Sequence, residues 1–281
     1  MPSIEWNKSL FDGEYDWNEK GDEWSISWGG ASMQWYGTLL PRIHAHVPTN
    51  CILEIACGYG RWTQYLKDLC KHLIVIDLSE DCITACQRRF ADITHIEYHV
   101  NDGKLLSMVL DHSVDFVFSF DSLVHADASV LSSYIHEFSR ILTDRGVAFI
   151  HHSNLGEYNG VHSIIRRIPK LTSLLARLGV LGELTKNEGS RDRSVDARAV
   201  AKFVERNGLQ CISQELIPWP LAPGRGSILM MDCISTIGNL RKNTSNIVYR
   251  NSKFNQEVFN LDRLSKIYIR QRRWLRPVSL K

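Results

Sequence analysis

The chain has 281 residues, 44% of them apolar, and 33 basic against 31 acidic side chains give a formal net charge of +2. That length supports one large core, or a core with a small accessory piece. The balanced charge implies no general field for nucleic acid or membrane. The opening stretch MPSIEWNKSLFDGEYDW is acidic and aromatic, unlike a signal peptide, and no run approaches the roughly 18 apolar residues of a membrane span. Cys51, Cys57, Cys70, Cys82, Cys86, Cys211 and Cys233 form no CxxC pair. Reduced thiols and a cytoplasmic location are therefore expected rather than a disulfide framework or a structural zinc site.

Residues 1–50 are rich in tryptophan and glycine and predict an aromatic cap segment, with a short helix over Gln34–Ile43. From residue 51, strands and helices alternate. Cys51–Ala56, HLIVIDLS (72–79), HIEYHV (95–100), SVDFVFSFDS (113–122) and VAFIHHSN (147–154) read as strands. Arg61–Cys70, Asp81–Phe90 and Leu131–Leu142 read as the intervening helices. A basic helical insertion follows over 155–193. A helix capped by Ser194 and stopped at Gly208 comes next, then two closing strands within CISQELIPW and SILMMDCISTI. The expectation is an α/β fold: a Rossmann-like, doubly wound, mostly parallel seven-stranded sheet over residues 51–242. Residues 243–281 read as a helical, basic appendage.

The loop Glu54-Ile55-Ala56-Cys57-Gly58-Tyr59-Gly60 follows the first strand, where open α/β sheets bind ligands. Gly58 and Gly60 permit positive φ and close backbone approach. A dinucleotide site needs a third glycine, but Arg61 stands there, and Glu54 would repel phosphate. Asp77 ends the second strand at the place of a ribose-binding acid, and Asp102 follows the third. A ligand with ribose hydroxyls, an adenine amino group and positive charge fits these acids, which describes S-adenosylmethionine.

From about Cys51 to Asn154 the chain resembles the class I S-adenosylmethionine-dependent methyltransferases. EIACGYG is similar to their first motif, with Ala56 in place of the usual first glycine, a change tolerable at negative φ. IDLS resembles the ribose-binding motif, NDG the loop flanking adenine, and FSFDSLVHAD the motif beside the methyl group. The resemblance implies that Glu54, Ala56, Cys57, Gly58 and Gly60 line the methionine end, with Trp28 and Phe120 among the contacts. Asp77 and Leu78 would serve the ribose, and Asn101, Asp102 and Gly103 the adenine.

A hydroxyl acceptor needs a base near the methyl group. The candidates are Asp121, His125 and Asp127 after strand four, and His151, His152, Ser153 and Asn154 at the end of strand five. His152 lies nearest the strand's carboxyl end and is favoured over His151, with His125 in reserve and Asp121 or Asp127 orienting the imidazole. A divalent ion held by Asp121, Asp127, a histidine and Asn154 is the less favoured alternative, and the metal-free route is expected. Trp24, Trp28, Trp35 and Tyr36 offer faces for a sugar, and Arg166, Arg167, Lys170, Arg191 and Arg193 offer charge for a phosphate on the acceptor. A softer resemblance, over about residues 24–238, is to methyltransferases of bacterial polysaccharide and glycan biosynthesis, and it implies O-methylation of a sugar, glycan or nucleotide-sugar. A small-molecule O- or N-methyltransferase of secondary metabolism is the alternative, and a non-catalytic cofactor-binding protein a weaker one. The tail places Val258, Leu261, Leu264, Tyr268 and Leu275 near one helical face and its basic residues elsewhere. It is expected to dock on its own domain, on a second copy, on a partner enzyme or on an acidic membrane surface.

Overall fold

In the computed structural model, residues 3–17, 19–160, 163, 191–222, 225–226, 229–239 and 245–272 are described. Short helices α1 (Ile4–Ser9), α2 (Ala31–Gln34) and α3 (Leu40–Ile43), joined by tight turns, build the cap segment. The strands follow as β1 (Thr49–Ile55), β2 (Cys70–Asp77), β3 (Ile96–Val100), β4 (Val114–Ser119) and β5 (Leu142–Ser153). Between them lie α4 (Thr63–Leu66), α5 (Glu80–Arg89) and α6 (Ala128–Ile141). Next come α7 (Ala197–Arg206), β6 (Gln210–Ile217), the small ribbon β7 (Pro220–Ala222) with β8 (Arg225–Gly226), then β9 (Asp232–Gly238), β10 (Ile247–Arg250) and α8 (Phe254–Arg272).

The main sheet has eight strands in the order β10-β6-β9-β5-β4-β1-β2-β3. Only β9 runs antiparallel, to both β5 and β6. The expected seven strands therefore become eight. The added strand is β10, which lies parallel to β6 at the edge. The boundary drawn at residue 243 is corrected with it, because Ile247–Arg250 belongs to the sheet. β1 lies between β2 and β4. The strand order reverses there, which opens a crevice at the carboxyl ends.

Side chains alternate across the pleat into two cores. Leu53, Val117, Ala148 and Ile150 face α6 and α7 through Leu131, Ile135, Phe138, Val200 and Val204. Ile52, Phe116, Phe118 and Phe149 face the other way, onto Trp28, Trp35, Leu39 and Ile43 of the cap and Phe254 and Val258 of α8. Each fully buried aliphatic or phenylalanine side chain contributes about 1.5–3 kcal/mol, so the cap and α8 complete the core rather than decorate it.

Local chemistry sets the helix starts. Ser79 caps α5 by accepting from the Cys82 N–H, and Asp127 caps α6 by accepting from Val130. Asp196, not Ser194, caps α7, accepting from Ala199 at 2.8 Å. The Ser194 hydroxyl instead accepts from the Ala128 N–H. Gly208 ends α7 at φ +73°, as its sequence position implies. The long helix expected over 61–70 is only α4 and a tight turn, because β2 begins at Cys70. Most of the insertion, with Arg166, Arg167 and Lys170, lies outside the described residues, as do Arg273, Leu275 and Arg276.

One ion network ties the cap to the far side of the fold. Arg42 of α3 grips Glu215 of β6 with two bonds of 2.8 Å and reaches Glu257 of α8 at 3.0 Å. Burial works against the guanidinium's charge, but the two carboxylates outweigh it and push its pKa up. Replacing Arg42 with leucine leaves two half-buried carboxylates unpaired, a loss of about 3 kcal/mol. Urea denaturation should show that fall in stability, and an unchanged midpoint would mean that the network holds nothing.

Candidate active site

The loops after β1, β2, β3 and β4 surround a cleft of about 1110 Å³, measured out to its open mouth. Cys57, Gly58 and Arg61 line one end, Asp77 and Leu78 the middle, and Asn101, Gly103 and Tyr134 the other end. The Asp77 carboxylate accepts from the Gly58 N–H at 2.9 Å and the Ser79 N–H at 3.0 Å, so it shapes the glycine loop while facing the cleft. Burial raises its pKa, and those backbone bonds offset part of the rise. Asn101 donates to the Tyr134 hydroxyl at 2.9 Å. Asp102 does not line the cleft. It is exposed and accepts from the Lys104 and Leu105 N–H groups, closing its own turn.

Two positions in the first loop differ from expectation. Ala56 sits at φ +59°, not at negative φ. An alanine there is strained by about 1–2 kcal/mol. The conformation is held by its N–H, which donates to Ile76 O, and by its carbonyl, which accepts from Ser122. Gly60 is needed for packing rather than for a ligand, because a Cβ there would lie 2.6 Å from the Phe90 ring.

Glu54 does not reach the cleft. It points toward α4 and accepts a short 2.5 Å bond from the Thr63 hydroxyl, leaving Oε1 buried without a partner. Burial pushes its carboxyl up to about 8. It is therefore protonated near neutrality and cannot serve as a counter-charge for a cation.

The cap roofs the cleft. Ile4, Asn7, Phe11, Trp17 and Trp24 close over it, and Trp17 stacks on Tyr59 with ring centroids 4.6 Å apart. A Cβ at Gly58 (φ +54°) would come within 2.9 Å of the Trp17 ring. The Asn7 Oδ1 and Trp17 Nε1 atoms are buried without partners. One acceptor and one donor at the cleft thus remain for a polar ligand to satisfy. Trp28 makes no part of this wall. It is 1% exposed, donates to the Thr38 hydroxyl and packs on Trp219 and Phe254. Trp35 is likewise core, stacked on Tyr65, and Tyr36 lies exposed beside Tyr65.

A second pocket adjoins the first and shares Asn7, Phe11, Trp24, Asp121 and His125 with it, while Trp6, Arg191 and Trp219 belong to it alone. Asp121 stands at the junction with φ +67°, a left-handed conformation rare for a side chain other than glycine. Arg61 pairs with its carboxylate at 2.9 Å, and its N–H donates to His151 Nδ1 at 3.2 Å. Nδ1 therefore acts as an acceptor, and Nε2 lies 3.5 Å from the Asp232 carboxylate. The ring is fully buried between Phe120 and Trp219, so His151 supports the site without facing it. Asp232 is held by the Arg191 guanidinium through two bonds of 2.5 and 2.7 Å. Burial opposes its charge, but Arg191 outweighs burial and keeps its pKa below the ordinary range.

The other face of β5 overturns the preferred base. His152 is fully buried away from the cleft. Its Nδ1–H donates to the Ser153 carbonyl, and its Nε2 accepts from Ser235, both at 2.8 Å. Burial pushes it down to about 4, so it stays neutral, with both nitrogens engaged. Asn154 is engaged too, donating to Met230 O and accepting from the Ala197 N–H. Among the described residues, no three His, Cys, Asp or Glu gather in metal-binding array. His125 is the histidine that reaches both pockets. Sequence reasoning missed Asn7, Phe11, Trp17, Arg61, Tyr134 and Trp219. The aromatic density of the opening stretch was the available signal for the first three.

Glu54 gives the site a pH signature. Unfolded, it loses its proton near 4.5; folded, near 8. Unfolding therefore releases a proton between those values, and stability falls as pH rises through that window, by up to about 1.4 kcal/mol per pH unit. Glu54→Gln should flatten the stability profile between pH 5 and 8. Parallel profiles would show that the carboxyl ionises freely.

Residues 52–146 match the family described as a methyltransferase domain. Nodulation protein S of Sinorhizobium fredii is 23% identical over 126 residues, which cover 44% of this chain and 57% of that protein. The match thus spans little more than half the length of that curated relative. Among solved structures, a chain from the Haloferax volcanii complex of the Trm112 activator with a methyltransferase is similar at TM-score 0.52 and 16% identity, covering 82% of this chain and 98% of that one. The N-methyltransferase NodS of Bradyrhizobium japonicum in complex with S-adenosyl-L-homocysteine gives TM-score 0.49 and 17% identity, covering 74% and 88%. The domain match lies on the strands and loops that form the cleft, and it marks residues 52–146 as a methyltransferase domain that uses S-adenosylmethionine.

Proposed function

We propose that this enzyme methylates a hydroxyl of a sugar, on a glycan or nucleotide-sugar, with His125 as general base. The observation that carries the reading is the junction of the two pockets, where Asp121 and His125 are shared by the cofactor cleft and a pocket walled by Trp6, Trp24 and Trp219. Indole faces beside a few polar groups suit a carbohydrate, whose ring offers an apolar face and an edge of hydroxyls.

The cleft residues fit S-adenosylmethionine. Asp77 would accept from the ribose hydroxyls with the lone pairs left by Gly58 and Ser79. Leu78, Asn101, Gly103 and Tyr134 would hold the adenine. Gly58, Arg61 and Trp17 would hold the amino-acid arm. When bound, the cofactor supplies an electrophilic methyl on a sulfonium. The protein's share is orientation, water exclusion and a proton acceptor. The cap, through Phe11, Trp17 and Trp24, shields the cleft. His125 would take the hydroxyl proton as the acceptor oxygen bonds the methyl carbon and the sulfur–methyl bond breaks, leaving S-adenosylhomocysteine. Arg61 and the His151 ring hold Asp121 in place, and Asp121 stabilises the imidazolium. Arg191 is occupied by Asp232, so the acceptor pocket is polar without a strong surplus charge. Seven free thiols among the described residues support action in a reducing compartment such as the cytoplasm.

A second reading, methyl transfer to an amine, is favoured by the Asp121 carboxylate, which would draw an ammonium group into the junction. The relative named an N-methyltransferase points the same way. Incubation with methyl-tritiated cofactor and matched pairs of neutral and amino sugars, free and nucleotide-linked, separates the two. Label on the neutral sugars supports the hydroxyl acceptor, and label confined to amino sugars refutes it. His125→Ala should lower turnover by about 10²-fold or more while S-adenosylhomocysteine still binds. Turnover within a few-fold of the parent would rule out His125 as the base.

A further inference from the structure

We propose that the outward face of α8 docks on an anionic phospholipid bilayer, a property separate from the catalytic reading above. The inward face of α8 is accounted for. Phe254 and Val258 are buried, Leu261 packs over Gly37, and Ser265 lies against Gly29. The opposite face is not. Phe259, Leu264, Ile267 and Tyr268 are 41%, 43%, 53% and 63% exposed. That is an unusual concentration of large apolar side chains on three turns of a helix already docked by its other side.

Basic groups are interleaved with them. Arg263 lies over the Phe259 ring at 5.7 Å and is exposed, and Lys266 reaches solvent while pairing with Asp262 at 2.6 Å. In sequence, Arg263 to Lys281 holds seven basic residues and no acidic one, together with Trp274 and Leu275. The whole chain carries only +2, so its positive charge is concentrated here. Phe259, Leu264, Ile267 and Tyr268 beside Arg263 and Lys266 on the outward face of α8 have the chemistry of insertion at the lipid headgroup boundary. The apolar groups enter the acyl edge while the cations meet lipid phosphates. A second copy is the poorer occupant, because an isologous pairing of this face brings two sets of the same basic side chains together with no added acidic partner. A nucleic acid would satisfy the cations but leave Leu264, Ile267 and Tyr268 without a role.

Sedimentation of the full chain with vesicles tests this without any acceptor for the methyl group. Vesicles of phosphatidylcholine with about one-third phosphatidylglycerol should carry the protein down at about 0.1 M salt, and pure phosphatidylcholine should not. Raising salt to about 1 M, where the screening length falls to about 3 Å, should weaken binding strongly. Arg263→Glu with Arg270→Glu, and separately Ile267→Ser with Tyr268→Ser, should each reduce partitioning by about tenfold or more while thermal melting stays near that of the parent. Equal binding to both vesicle types, or to neither, overturns the proposal. So does a preference for double-stranded DNA over anionic vesicles, or self-association that the same substitutions abolish. The vesicle selectivity of the parent protein decides the matter even if a variant fails to fold.

Discussion

The ion pair between Arg61 and Asp121 is the interaction on which the site depends. It joins the loop after β1 to the loop after β4, across 60 residues of sequence, with both side chains almost wholly shielded from water. Removing either partner would strand a buried charge, a cost of several kcal/mol, whereas the intact pair contributes far less in net stability. Its value is therefore placement. Asp121 is held in a left-handed backbone conformation by that carboxylate bond on one side and by the His151 ring on the other. Ala56, strained in the same way, is latched to the same loop through Ser122. Two adjacent strand ends thus carry backbone strain that only the joined arrangement tolerates, and the opening between them is where the cofactor cleft meets the second pocket.

The cap belongs to the same arrangement. Its first 24 residues bring Asn7, Phe11, Trp17 and Trp24 over the cleft, and its later turns enter the core through Trp28, Trp35 and Ile43. Arg42 then binds it to β6 and α8. Roof and floor of the cleft are therefore fixed to one sheet by different parts of one segment. The Trp17 ring on Tyr59 and against Gly58 makes the glycine loop half backbone and half indole. A methyl donor that water could otherwise reach gains from such a cover.

What the sequence made legible was local. The positions of Cys57, Gly58, Asp77, Leu78, Asn101 and Gly103 follow from strand ends, because a parallel sheet puts its loops at one edge whatever the packing around it. Which face of a strand meets the ligand was not legible. Glu54 and His152 sit in runs apolar on both sides, and alternation alone leaves two choices that only the helices above and below decide. His152 faces Ser235 and the side covered by α7, while His151 faces Trp219. Asn101 and Asp102 differ for the same reason: one side chain points inward and the other closes its turn. The roof was illegible because Asn7 and Trp17 reach the cleft through irregular turns that have no period to read. Arg61 stood in plain view as the residue that breaks the dinucleotide pattern, yet its partner was too distant in sequence to name. The eighth strand escaped because Ile247–Arg250 is exposed and short, without the apolar run of a central strand.

The central claim is that the cofactor lies along Asp77, under the cap, and not against Asp102. Calorimetric titration with S-adenosylhomocysteine of Asp77→Asn and Asp102→Asn, beside the parent, tests it most directly. Asp102→Asn keeps the one oxygen that serves both of its backbone donors, whereas Asp77 serves Gly58 and Ser79 through different oxygens, so thermal melting of each variant runs beside the titration to separate a disturbed loop from a lost ligand contact. The account predicts a loss of about tenfold or more, or at least about 1.4 kcal/mol, for Asp77→Asn and an affinity near that of the parent for Asp102→Asn. Equal affinities for all three proteins, or a larger loss at Asp102, would contradict it.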